Sequence, residues 1–455
     1  MSLSIKPDLL YRHGAFTANT TLHIDNAGYI AKSEALNATP ISMPGKALLP
    51  GFINVHSHSF QRLIRGRAES RAVSGKDFWS WRGTMYHAAA SLTPEDVYDV
   101  ARMAFLEMVK AGTTTVGEFH YLHNAPNGQP YDDPNLLSKQ VIAAAQSVGI
   151  RIVLLRSAYL RSGYQTPSDP GQKRFFENAT NFVTNTESLI ASLPSNSNEV
   201  KIGIAPHSIR AVPLADLRDI ITWARQRALP IHMHIAEQLR ENAECEQEHG
   251  LTPVAMLARE GLLGPDLTAV HAIHISEQEI AQLAASGATI CSCPTTERNL
   301  GDGILAADIA MQAGIPIALG SDSQAQIDPL EDARQLDYHL RLAQQQRAIL
   351  DQIDGQSIAL RLFECATING AHSLHLNSGD LSEGNYADFI TIDRNDLSIA
   401  GNSAVDLLPT IVFGMGRTAV RDVAVNGRLI LRGGHHALEE EIIERYKLVH
   451  ARVWS

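Results

Sequence analysis

The chain has 455 residues, 44% hydrophobic and 19% charged, a balance that buries a large core and excludes a wholly disordered polypeptide. Its formal charge of -11 argues against nucleic acid as a partner, since phosphate binding needs a basic face. Any anionic substrate must then be met by a local cluster of arginines. No apolar run reaches the ~18 residues a membrane helix needs, and MSLSIKPDLLYRHGAF lacks the apolar core of a secretory signal. With only four cysteines there is no disulfide framework, so a reducing, cytoplasmic setting is the expectation.

Residues 1–48 carry short strand-like pieces and turns such as HIDNAGYIAKSEA. From ALLPGFINV, which ends at His56, the pattern becomes an alternation of β-branched runs and longer stretches with helical spacing. The further runs lie at 112–119, 151–160, 201–206, 229–235, 267–273, 288–294 and 315–322. Between the first two, residues 93–112 read as a helix that opens on a capping Thr93 with Pro94 and closes on Gly112. DPNLLSKQVIAAAQSVG, PLADLRDIITWARQRA and SEQEIAQLAASG read the same way. Eight strand–helix units predict an α/β fold, a (β/α)8 TIM-like barrel over 49–376. A doubly wound open sheet competes, but it would not require functional residues at so many strand ends. Strand-like YADFITID and VRDVAVNGRLILRGG then return, followed by a charged helix, LEEEIIERYKLVHARV. Segments 1–48 and 377–455 are predicted to form one small β-sandwich domain from both chain ends.

The chemistry collects at strand ends. In NVHSH, His56 and His58 are two residues apart on a strand and face the same way, so both imidazoles can aim at one ion. HMHIAEQ repeats the spacing with His232 and His234. His234, nearer the strand end, is the ligand choice, and His232 is left between ligand and packed core residue. Glu237, three residues past His234, can reach a metal-bound water without binding the metal. In VHAIH, His271 stands where the strand ends, while His274 reads as structural. LGSDS places Asp322 at the mouth of the barrel. Each signal alone has a bland reading as a surface or capping residue. Together, three histidines and one aspartate make a nitrogen/oxygen site of the catalytic zinc or iron(II) type, one ion per chain, open to water. Cys291 and Cys293 lack the second pair of a structural zinc site and read as core residues.

The set PGFINVHSH, HIAE, VHAIH, PTTERNLGDG and LGSDS resembles the amidohydrolase superfamily in its one-metal deaminase branch. GDLSEGNYADFITID and VAVNGRLI are similar to the β-sandwich that flanks such barrels, so the resemblance covers nearly the whole chain. Two-metal members carry a modified lysine at the end of strand four. Here that position reads APHSIR and Lys201 stands at the other end of the strand, so one metal is expected. Within the branch, HSHSFQRLIRGRAE, FWSWRGTMY, EFHYLHN and APHSIRAVP resemble the formimidoylglutamate deiminases. That resemblance implies zinc, and hydrolysis of N-formimidoyl-L-glutamate to N-formyl-L-glutamate and ammonia in histidine degradation. Activated water would attack the C=N carbon, Asp322 would take its proton, Glu237 would pass a proton to the imino nitrogen, and His271 would orient the nucleophile.

Two substrate carboxylates call for arginine forks. Arg82, after strand one, and Arg210, just after strand four, are placed for them, and by resemblance Gln61, Tyr121 and His207 complete the pocket. Arg65, Arg67 and Arg71 read as solvated surface residues, whereas Arg82, flanked by Trp79, Trp81 and Tyr86, reads as partly buried. The alternatives are a deaminase of aromatic bases, nucleosides or triazines with the same metal set, a guanidino or formamidino acid deiminase, and a metal-free barrel used as a scaffold. The expected partner is a small anionic substrate, without nucleic acid or membrane, in a homodimer, the commonest closed assembly.

Overall fold

The computed structural model describes residues 2–32, 39–69, 78–194 and 197–455, with the backbone alone at 78–80. Arg71 and the Trp79 side chain therefore lie outside the described residues. Among those described, fifteen strands form two sheets. Four come first: β1 (Leu3–Arg12), β2 (Ala15–Ala18), β3 (Leu22–Ile24) and β4 (Ile41–Pro50). The next eight are β5 (Phe52–Ser57), β6 (Thr113–His120), β7 (Arg151–Ala158), β8 (Val200–Pro206), β9 (Ile231–Ile235), β10 (Leu267–His271), β11 (Thr289–Ser292) and β12 (Ile317–Leu319). The last three are β13 (Phe389–Asp393), β14 (Val420–Val425) and β15 (Arg428–Leu431).

β5 to β12 pair in chain order, each parallel to the next, with helices between them: the barrel that the alternation predicts. Helices cover the outside and side chains fill the inside, so both faces of each strand are buried. All eight residues of β6, TTTVGEFH, are buried, which is why such strands read as continuous rather than alternating runs. The predicted helix at 93–112 is α2 (Pro94–Lys110), preceded by α1 (Phe78–Ser91). Thr93 and Asp96 close a reciprocal capping box at its start. Gly112 ends the predicted stretch with φ +92°, a left-handed turn into β6 that an L side chain resists.

The two edges of the barrel meet where the chemistry is. The backbone N–H of His58 donates to the Asp322 carbonyl at 3.0 Å, and the Asp322 N–H to the His56 carbonyl at 3.0 Å. Asp322 and His271 have φ of 45° and 71°, a strained left-handed backbone that turns each side chain at its strand end.

Both chain ends build the second sheet, ordered β15-β14-β13-β4-β1-β2 with β3 on the other end of β1. Its strands alternate: Leu48, Phe389 and Ala424 join a small separate core, while Leu49, Ile390 and Val423 join the large core that includes the barrel. The fully buried Arg151 of β7 reaches Asp388 at 2.9 Å and so ties barrel to sheet. The C-terminal helix Glu439–Trp454 lies along α2, where Glu441 accepts from both terminal nitrogens of Arg102 at 2.8 and 2.6 Å. No helix among the described residues is long and apolar enough to cross a membrane.

Candidate metal centre and active site

Four side chains from three different parts of the barrel converge at its mouth. His56 and His58 come from β5, His234 from β9 and Asp322 from the loop after β12, and their ligand atoms all lie within 4.8 Å of one another. The Nε2 atoms of His56 and His234 stand 3.2 Å apart, and Asp322 Oδ1 is 3.4 Å from Nε2 of both His56 and His58. Two of the rings are fixed from behind. His58 Nδ1 donates to the Phe119 carbonyl at 2.7 Å, and His234 Nδ1 to the His207 carbonyl at 3.0 Å. That leaves both Nε2 lone pairs facing inward, the usual way a protein orients imidazole ligands. Burial pulls the protonation of His56, His58 and His234 below the ordinary imidazole range, that of His58 to about 3, so the rings are uncharged at neutral pH. Burial pushes the Asp322 carboxyl up, but hydrogen bonding to His56 and the surrounding imidazoles outweigh it and keep it ionised. Inward-facing lone pairs and a carboxylate, all buried, are mutually repulsive without a cation, and they fit a divalent one.

Glu237 and His271 complete the mouth. His271 Nε2 lies 3.8 Å from Asp322 Oδ2 and 3.9 Å from Glu237 Oε1. Burial raises the Glu237 carboxyl above its ordinary range, against the pull of His271. For His271, burial favours the neutral ring, but Glu237, Glu297 and Asp322 together hold its protonation well above the usual value.

The predicted pocket residues Gln61, Arg82, Tyr121, His207 and Arg210 all line one cavity with His58, His234, Glu237, His271 and Asp322. Gln61 Nε2 donates to Tyr121 Oη at 2.6 Å. Arg210 makes no side-chain hydrogen bond or ion pair among the described residues, although it faces the cavity. Arg82 is held differently: its Nη2 meets Asp169 Oδ2 at 3.1 Å and its guanidinium lies 5.1 Å from the Tyr86 ring centre. Trp81, Tyr159 and Phe175 also line the cavity and give it aromatic walls.

Other readings fare unequally. His232 is fully buried with Nε2 3.2 Å from the Ser373 carbonyl, a packed core residue. His274 Nε2 donates to the Asp302 carbonyl at 2.9 Å, and Lys201 Nζ reaches the His375 carbonyl at 3.4 Å from the start of β8. Cys291 and Cys293 are buried. Arg65 is not a solvated surface residue: Nε donates to the Gln324 carbonyl at 2.6 Å and Nη1 to Glu107 at 2.9 Å. Arg67 is exposed, as read, with its guanidinium 4.6 Å from the Trp454 ring centre. Two carboxylates escaped the sequence reading. Glu297 accepts from His271 Nδ1 at 3.3 Å and from the Cys293 N–H at 2.7 Å, which fixes the His271 ring. Glu118 accepts from Ser57 Oγ at 2.5 Å and the Ser59 N–H at 2.7 Å, bracketing the segment that carries His58, and burial pushes its carboxyl up to about 7.

A strand-end cluster of histidines and aspartate at the mouth of a (β/α)8 barrel is the arrangement of a hydrolase with a candidate divalent-metal site. The amidohydrolase family model matches residues 47–430, and the chain belongs to that family. It is similar to a formimidoylglutamate deiminase of Pseudomonas aeruginosa, 36% identical over 424 residues, 93% of each chain. A 5-methylthioadenosine/S-adenosylhomocysteine deaminase of Thermococcus sibiricus is 28% identical over 401 residues, 86% of this chain and 84% of its own. An amidohydrolase structure from Brucella melitensis superposes with a TM-score of 0.91 at 31% identity, covering 100% of both chains. A zinc-bound adenosine deaminase structure from Xanthomonas campestris, 22% identical with a TM-score of 0.84 over 99% of this chain and 98% of its own, shares the fold. The enzyme is a hydrolase acting on C–N bonds.

Proposed function

We propose that this chain hydrolyses N-formimidoyl-L-glutamate to N-formyl-L-glutamate and ammonia, a step of histidine degradation. The observation that carries the reading is the pair of guanidiniums, Arg82 and Arg210, in one cavity with the metal-ligand cluster. Two arginine forks suit a small substrate with two carboxylates, in a chain whose overall charge of -11 repels anions elsewhere.

His56, His58, His234 and Asp322 would hold the metal, read as one zinc ion per chain, with iron(II) the other ion that suits this donor set. When bound, the ion supplies Lewis acidity that brings the pKa of a water down towards ~7. Asp322 offers one oxygen to the ligand side and the other, Oδ2, towards His271, where it can take the proton of the attacking water. Glu237, its carboxyl raised by burial, is placed to relay protons to the imino nitrogen: the two protons of the attacking water, taken up by Asp322 and Glu237, both end on that nitrogen, so that neutral ammonia leaves and both carboxyls return to their starting state. His271, oriented by Glu297, donates from Nε2 to the oxygen as charge develops on it. Arg210 takes one substrate carboxylate with its whole fork, and Arg82 the other while still held by Asp169. Gln61, Tyr121 and His207 line the space between.

The test is ammonia release from formimidoylglutamate, formimidoylaspartate, guanine and adenosine. Turnover confined to the two formimidoyl acids is expected, and turnover of guanine or adenosine alone would overturn the reading. A ring deaminase is the second reading, favoured by Trp81, Tyr159 and Phe175 in the cavity wall. The proposal also takes residues 1–48 with 377–455 as one domain and 49–376 as the catalytic one, in a cytoplasmic homodimer.

A further inference from the structure

A second cavity of about 520 Å³ opens between α2, β14, β15 and the C-terminal helix, and shares no lining residue with the active site. Its volume suits a small molecule. The lining mixes two chemistries. Met103, Leu106, Leu431 and Ile443 supply apolar surface. Arg62, Lys110, Arg417 and Arg421 line it with only two carboxylates, Glu107 and Glu439. That is a local positive surplus on a chain whose overall charge is -11. Three of the cations are engaged: Arg62 with Glu107 at 2.9 Å, Lys110 with Glu439, and Arg417 with Asp328 at 3.2 Å. Arg421 is half-buried and makes no side-chain hydrogen bond or ion pair among the described residues. It lies along the Gly433–Gly434 turn, where a Cβ on either glycine would come within 3.8 or 3.6 Å of its terminal nitrogens. A half-buried guanidinium that lines a cavity is best satisfied by the oxygens of a carboxylate or phosphate.

The cavity wall also leads to the metal centre. Glu107 accepts from Arg62 Nε at 2.9 Å and from Arg65 Nη1 at 2.9 Å. Arg65 Nε donates to the Gln324 carbonyl at 2.6 Å, and Gln324 Nε2 donates to the Asp322 carbonyl at 2.8 Å and to Ser57 Oγ at 2.9 Å. Ser57 lies between His56 and His58, and Asp322 is the fourth member of the cluster. We infer that this cavity is an inhibitory effector site for a small acid: an anionic head on Arg421 and an apolar tail against Met103, Leu106 and Ile443. An anion there competes with Glu107 for Arg62 and for Arg417, whose Nη1 lies 3.6 Å from Glu107, leaves Glu107 to draw on Arg65, and so disturbs the loop that carries Asp322.

The test titrates the metal-loaded full chain by calorimetry with hexanoate, hexyl phosphate, hexanol and inorganic phosphate. One of the two tailed acids is expected to bind at one equivalent, and which one binds names the head group. Hexanol is expected not to bind, and inorganic phosphate to bind more weakly than the tailed acid. R421M is expected to weaken binding by about tenfold or more, with kcat and KM in the absence of probe unchanged. I443W, which fills the cavity, should weaken it too and serves if R421M does not fold. Under saturating substrate the bound acid is expected to lower kcat, which a competitor for the active-site arginines cannot do. No binding of either acid below about 10 mM, or binding that survives both variants, would overturn the site. Purely competitive inhibition, or binding with no change in kcat, would overturn the effector role. A dimer that dissociates in R421M would assign the groove to a second copy of the chain instead. The binding arm stands apart from the proposed substrate, so loss of the formimidoylglutamate reading would not be mistaken for loss of the site.

Discussion

Replacing Arg210 by Met probes substrate recognition where the structure makes the sharpest distinction. Arg210 has no partner among the described residues, so its whole fork is available to a carboxylate. Truncating one member of a largely buried, hydrogen-bonded charge pair costs about 2–5 kcal/mol. Taking ~3 kcal/mol, kcat/KM for formimidoylglutamate should fall by about two orders of magnitude, mostly through KM. Arg82 already gives Nη2 to Asp169 at 3.1 Å, so it has fewer donors to offer, and R82M should cost less, about tenfold to thirtyfold. The assay is steady-state ammonia release with formimidoylglutamate beside a formimidoyl amine that has no carboxylate. Both variants should affect the carboxylate-free compound little. Kinetics within about threefold of wild type for R210M, or equal losses on both compounds, would refute the role given to the guanidinium.

Other substitutions address other parts of the site. E237Q should keep its metal while turnover falls by about 10²–10⁴, as befits a proton carrier, and near-normal ammonia release would remove Glu237 from the mechanism. G320A should lose metal as well as activity, because a Cβ there would sit 2.7 Å from the His56 Cβ and 2.9 Å from the His56 carbonyl. Full metal content in G320A, measured by mass spectrometry, would show that the ligand strand has more room than the packing implies. For Glu241, burial pushes the carboxyl up to about 7. The folded state then binds that proton more tightly than the unfolded chain, whose carboxyl titrates near about 4.3. The contribution to stability is complete below the unfolded value and is lost as pH rises towards 7, by up to ~4 kcal/mol. In urea melts of the metal-free protein at pH 5 and pH 8, E241Q should flatten that decline, and an unchanged difference between the two pH values would contradict it.

The pairing of His56 with His58 could be read from the chain because a strand repeats every two residues, and Asp322 because a barrel presents its chemistry at strand ends. Their convergence depends on closure of β5 against the segment after β12, which the alternation of strands and helices already implied. Gln61, Tyr121 and His207 came only through family resemblance, since nothing in their spacing marks them. Other features depend on contacts between distant segments and left no local trace. Glu297 sits in the helix Pro294–Leu300, and only the turn after β11 brings it behind His271. Arg65 looked like one of several surface arginines because its acceptors, the Gln324 carbonyl and Glu107, are 259 and 42 residues away. The Arg82–Asp169 pair joins α1 to the loop after β7 across 87 residues. Tyr159 and Phe175 carried no signal for the same reason: they enter the cavity from the segment that follows β7.

The most direct measurement is the metal content of the purified protein and of H234A, by mass spectrometry after dialysis against metal-free buffer. About one equivalent of a single divalent metal per chain is expected in the native protein, with loss of both metal and ammonia release in H234A. A well-folded native protein that holds less than about a tenth of an equivalent, refuses added zinc and still turns over its substrate would contradict the role of the four converging side chains.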